Sequence, residues 1–121
     1  MSVPTFGTTV LDCPDPMALA GFYARLLDWA EPEPGQQQED GWVNLNGPGG
    51  RLSFQRVPDH TPPTWPKGER PQQLHLDLYV DDLEAAHTRA VGLGARLLDD
   101  APEDFRVYAD PAGHPFCLCI S

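Results

Sequence analysis

His75 and Asp77 stand two residues apart in the run Leu74-His75-Leu76-Asp77-Leu78-Tyr79-Val80. On an extended strand such a pair shares one face, with backbone positions roughly 6.5–7 Å apart. A histidine titrates near neutral pH, and a carboxylate beside it can orient it. That is the chemistry of proton transfer next to a carbonyl, as in isomerisation, dehydration or epimerisation. Arg106 and Tyr108 repeat the spacing and are suited to steadying the negative charge that such a step develops. Cys117 and Cys119 repeat it again. Thiolates are metal donors, but no CxxC pair or second Cys/His cluster completes a zinc signature. Trp42, Tyr79 and Tyr108 are rings on which a flat ligand could stack.

These residues need elements to hold them, and the chain supplies the same set twice. Thr8-Thr9-Val10-Leu11-Asp12-Cys13-Pro14-Asp15 lies over His75-Leu76-Asp77-Leu78-Tyr79-Val80-Asp81-Asp82 at an offset of 67. Each is a short extended run ending in an acidic helix cap. Pro16 suits the first helical position after Asp15, and Leu19, Phe22, Tyr23, Leu26 and Leu27 follow at helical spacing. In the second half Asp81 or Asp82 caps, and Leu83, Ala86, Ala90 and Leu93 form the stripe. Gly94 ends it. Each half closes on two extended runs, Trp42–Asn46 with Leu52–Gln55 and Arg106–Asp110 with Phe116–Cys119, and the final runs are offset by 64.

The reading is α+β, with two βαβββ modules in one domain spanning residues 1–121. Module one covers about residues 3–57 and module two about 73–121. Between them, residues 58–72 carry Pro58, Pro62, Pro63, Pro66 and Pro71. Such a segment can be neither helix nor central strand and is expected to cross the surface as a linker. Modules of about 55 residues would be marginal alone.

Strand alternation sorts the side chains. Leu74, Leu76, Leu78 and Val80 belong against a helix, which leaves His75, Asp77 and Tyr79 on the second face. The same logic sends Thr8, Val10, Asp12, Trp42, Asn44, Ser53, Gln55, Cys117 and Cys119 to that face, and also Arg106 and Tyr108, with Val107 opposite. An aromatic and polar face without Lys or Glu suits a ligand site.

Composition narrows the function classes. The chain is 40% apolar with 11 glycines, ordinary for a globular domain. Eighteen acidic against eight basic residues give a formal charge of −10, which disfavours nucleic acid and anionic membrane as partners. No apolar run is long enough to span a membrane. The N-terminal residues show no secretory pattern, and the three cysteines, Cys13, Cys117 and Cys119, are an odd number. Reduced thiols in the cytoplasm are expected. Gly47-Pro48-Gly49-Gly50 is a hairpin turn without the lysine and helix of a phosphate loop. His60 and Trp65 fall in the linker, His87 off the helical stripe and His114 in a turn, so exposure is expected of the histidines. Trp29 is expected to pack at the end of the first helix.

The chain resembles the vicinal oxygen chelate superfamily, which includes glyoxalase, bleomycin-resistance and extradiol-dioxygenase-type proteins. It is most similar to the small glyoxalase-like members, from about Thr5 to Ile120. The stretches that carry the resemblance are Leu74–Ala86, Gly92-Leu93-Gly94-Ala95 and Ala109–Leu118. The resemblance implies that the two modules pair into a curled mixed sheet enclosing a cup, and that the protein is a homodimer. It also implies a metal site at four places, which fall here on Thr8, Ser53, His75 and Cys117. Only His75 is a usual ligand of that set, so the metal site is expected to be degenerate and no cofactor is expected, although a divalent ion on His75 and Cys117 stays open. Three functions follow. One is a binding, resistance or sequestering protein for an aromatic or carbonyl-containing small molecule, held by Trp42, Asn44, Gln55, Tyr79, Arg106 and Tyr108. Another is a metal-independent isomerase or lyase with His75 and Asp77 as catalytic acid–base pair. The third is a metal-dependent lyase or dioxygenase using His75 and Cys117.

Overall fold

The computed structural model describes residues 2–120. The chain divides into two compact units, the first closing at His60 and the second opening at Thr61.

In the first unit β1 (Thr9–Cys13) leads into α1 (Pro16–Leu27), followed by β2 (Val43–Gly47) and β3 (Gly50–Arg56). The Asp15 carboxylate accepts from the Ala18 N–H at 3.2 Å and so caps α1, with Pro16 in its first turn. Strand β3 is central, parallel to β1 and antiparallel to β2. Leu19, Phe22 and Tyr23 of α1 are buried, as are Val43, Leu45, Leu52 and Phe54 of the sheet. The Tyr23 and Phe54 rings stack with centroids 6.1 Å apart. The expected third strand after the helix does not form here. Between α1 and β2 lies Glu31-Pro32-Glu33-Pro34-Gly35, with only a short 3-10 turn at Pro34–Gln36. Two prolines in three residues remove the N–H groups that a strand would use, so this half is βαββ.

The second unit holds β4 (Leu76–Val80), α2 (Leu83–Leu93), β5 (Arg96–Asp99), β6 (Phe105–Ala109) and β7 (Pro115–Ile120). The sheet order is β4-β7-β6-β5, with β4 parallel to β7 and the other pairs antiparallel. Asp82 is the residue that caps α2, accepting from the Ala85 N–H at 3.1 Å. Gly94 closes the helix at φ 118°, a left-handed conformation that glycine adopts without cost. In the turn before β7 the buried Asp110 carboxylate accepts from the Ala112 and His114 N–H groups. Within the proline-rich segment the Thr64 N–H donates to the Arg70 carbonyl.

The two wirings match. In each unit the first strand lies parallel to the last, and the last pairs antiparallel with the one before it. Val10 faces Ser53 in one and Asp77 faces Cys117 in the other. Those pairs are separated by 67 and 64, the offsets of the sequence repeat. One expectation fails at the start of β4. The strand begins at Leu76, so Leu74 lies outside it and is 81% exposed instead of packing on a helix. No helix among the described residues is long and apolar enough to cross a membrane.

Candidate functional site

The first unit turns Val43, Leu45, Leu52 and Phe54 toward α1, so the paired residues Val10, Asp12, Asn44, Ser53 and Gln55 occupy the other face. A short chain of side-chain hydrogen bonds runs across it. The Trp42 indole N–H donates to the Asn44 side-chain oxygen at 2.8 Å, and the Ser53 hydroxyl donates to the same oxygen at 2.7 Å. Ser53 has one proton and spends it there. The Thr8 hydroxyl, 2.8 Å from Ser53 Oγ, therefore acts as donor to Ser53. Ser53 is wholly buried, Trp42 and Asn44 are half-buried and Gln55 is exposed. The result is a fixed polar patch beside an indole ring, since each buried polar atom has a partner.

In the second unit His75 lies one residue before β4, and its Nε2 is 3.2 Å from an Asp77 carboxylate oxygen. Asp77 faces Cys117 across the parallel pair. Donor atoms of His75, Asp77 and Cys117 all lie within 4.8 Å of one another. His75 and Asp77 are exposed, whereas Cys117 is buried at 7%. Burial, reinforced by the Asp77 charge, pushes the Cys117 thiol up to about 11. Cys119 is raised in the same sense, again mainly by burial. Tyr79, facing Cys119, is 73% exposed.

Arg106 and Tyr108 are on the other side of this sheet, which corrects their placement from alternation. Cys117 faces Val107, so Arg106 and Tyr108 share the side of Leu118 and Phe116, beneath α2. Tyr108 is fully buried, stacked on Phe116 at 5.5 Å, and its hydroxyl is 2.8 Å from Nδ1 of His87. Burial raises the Tyr108 hydroxyl. The Arg106 guanidinium donates to Glu84 of α2, which lowers the Glu84 carboxyl and raises Arg106. The strand Phe105-Arg106-Val107-Tyr108-Ala109 reads as polar on alternate residues. However, long amphipathic side chains can bury their stems and reach a polar partner on the covering helix. His87 was expected at the surface and instead faces the sheet. The available signal was its position four residues after Leu83, on the same side of the helix. His60, Trp65, His114 and Trp29 are half-buried, and the Trp29 ring lies against the backbone of Gly47.

A family model described as a glyoxalase-like domain matches residues 8–119. No curated protein sequence matches the chain. Among solved structures, the chain is similar to a fosfomycin resistance protein from Mesorhizobium loti, with 12% identity and a TM-score of 0.71. That likeness covers 99% of this chain and 94% of that one. It is also similar to a glyoxalase/bleomycin resistance protein/dioxygenase family enzyme from Burkholderia phytofirmans, with 19% identity, a TM-score of 0.69 and coverage of 92% and 94%. An Arabidopsis thaliana gene product matches at 19% identity and a TM-score of 0.70, with 97% and 99% covered. The α+β fold, the doubled strand-helix wiring and the match along nearly the whole sequence agree: this chain belongs to the glyoxalase-like family of the vicinal oxygen chelate superfamily.

Proposed function

We propose that the chain is a small-molecule-binding protein of its family that does not use the family's four-position metal. The observation that carries this reading is the bond between Thr8 and Ser53. These residues stand at two of the four positions, and both offer neutral hydroxyls. Their protons are committed, that of Thr8 to Ser53 and that of Ser53 to Asn44, whose oxygen also accepts from Trp42. Such oxygens are poor substitutes for imidazole, carboxylate or thiolate, so the donor set does not fit a four-ligand ion. What it does fit is an organic ligand, with Trp42 as a flat apolar contact and Asn44 and Gln55 as polar anchors. The ligand class is a flat molecule bearing carbonyl or hydroxyl groups.

The test is a thermal-shift screen of the intact chain against aromatic metabolites, antibiotics and divalent ions. A true ligand at 100 times its Kd adds about 2.7 kcal/mol of stability, and Trp42→Ala should abolish most of that gain. Stabilisation by divalent ions with none from any organic compound would overturn the reading.

A further inference from the structure

The side-chain hydrogen bonds on the polar face of the first unit run in one direction. The Trp42 indole N–H donates to the Asn44 side-chain oxygen, and Arg51 Nε donates to the Asn46 side-chain oxygen at 2.7 Å. Indole and guanidinium nitrogens can only donate, so the atom each one meets must be the amide oxygen. Both carboxamides are thereby fixed with their oxygens occupied and their NH2 groups left over. Among the described residues neither NH2 group has a partner, and the Arg51 guanidinium pairs with no carboxylate.

Strand register sets these groups side by side. Asn44 faces Ser53 and Asn46 faces Arg51 across the β2–β3 pair. Asn44 and Asn46 are two residues apart on one strand, so they share a face in rows roughly 6.5–7 Å apart. Two N–H···O bonds of about 2.9 Å each cover about 6 Å, so one oxyanion fits between the rows.

We propose that Asn44, Asn46 and Arg51 receive an oxyanion, a carboxylate or phosphate carried by the ligand whose flat part lies on Trp42. This rests on the ligand reading above and narrows it: the group facing these rows is negatively charged and only accepts hydrogen bonds. Amides that offer only N–H reward an oxygen with lone pairs and reject an ammonium. The guanidinium adds a positive charge and planar, paired donors that match carboxylate or phosphate oxygens. Arg51 and Asn46 are exposed and Asn44 is half-buried, so the anion sits at the rim and the ring lies inward. Asp12, on the same face, pairs with Gln55, four residues along β3 from Arg51. That is roughly 13 Å, beyond the Debye length of about 8 Å at physiological ionic strength. The Asp12 charge is therefore screened at the site, whereas the Arg51 contact is direct.

The probes are 2-naphthoate, 2-naphthyl phosphate and the neutral 2-acetylnaphthalene, each titrated into the full chain labelled with nitrogen-15. The side-chain amide signals of Asn44 and Asn46, assigned by their absence from Asn44→Asp and Asn46→Asp, report contact and give Kd. At least one anion should move both signals and bind about 10-fold tighter than 2-acetylnaphthalene, and the tighter anion identifies the group. Arg51→Gln, at an exposed position, should erase that preference. Asn44→Asp keeps an oxygen for Trp42 and Ser53 but turns a carboxylate oxygen outward, so it should lose the anions and keep the fold. Equal affinity for charged and neutral probes, a preference that survives Arg51→Gln, or anion binding that leaves both amide signals unmoved would overturn the proposal. If binding in that case is still lost in Trp42→Ala, the ligand reading stands alone; binding indifferent to Trp42→Ala would sink both. Absence of binding by all three probes overturns the proposal and leaves the wider screen to judge the ligand reading.

Discussion

The hydroxyl of Thr8 donates to that of Ser53 at 2.8 Å, in the place where the second half sets His75 beside Cys117. The two halves therefore share a wiring diagram while holding different chemistry at matching points. One end is a neutral hydrogen-bonded patch, and the other is a trio of titratable donors.

Ser53→Ala should lower stability by about 1–2 kcal/mol. The residue is wholly buried, and its loss removes a donor to Asn44 and an acceptor for Thr8. Urea denaturation read by tryptophan fluorescence measures this. Thr8→Ala should cost less, because Thr8 is only half-buried and its removal leaves the Ser53–Asn44 bond intact.

Two glycines should respond oppositely to alanine. A Cβ at Gly47 would stand 2.0 Å from the Trp29 ring, so Gly47→Ala should cost about 1–3 kcal/mol as the ring is forced aside. Gly92 lies inside α2 with nothing within 4 Å of an added Cβ. Gly92→Ala should stabilise by about 0.5–1 kcal/mol through helix propensity. Melting curves of the two variants beside the parent decide both signs.

Tyr108→Phe separates the two sides of the second sheet. It deletes the hydroxyl that meets His87 and should cost about 1 kcal/mol of stability. The stabilisation given by any organic ligand should be unchanged, since Tyr108 lies beneath α2 and not on the face of Asp77 and Cys117. A ligand affinity lost with Tyr108→Phe but kept with Trp42→Ala would contradict that placement.

Alkaline pH should destabilise the metal-free protein through Cys117. Its folded thiol is raised from an ordinary 9.0 to about 11. Between those values the unfolded chain has released a proton that the folded chain retains, so stability present below pH 9 is lost as pH rises toward 11. Cys119 acts in the same direction. Unfolding free energies measured at intervals from pH 8 to about 11 should fall more steeply in the parent than in Cys117→Ala.

Sequence alone determined the pattern that depends on local spacing. The repeat offsets, the Asp15 cap, the Gly94 stop and the alternation around Asn44, Ser53 and Asp77 are all read from local spacing, whereas the choice of Asp82 over Asp81 as the cap of α2 came from the structure. What only tertiary structure decided was pairing. Register against β7 sent Arg106 and Tyr108 under the helix, because the polar tips of long side chains can be satisfied by Glu84 and His87. Register also brought Cys117 opposite Asp77 across 40 residues of sequence. Periodicity tells a residue which neighbours share its own strand. Only hydrogen bonding between strands tells it which distant residue stands beside it.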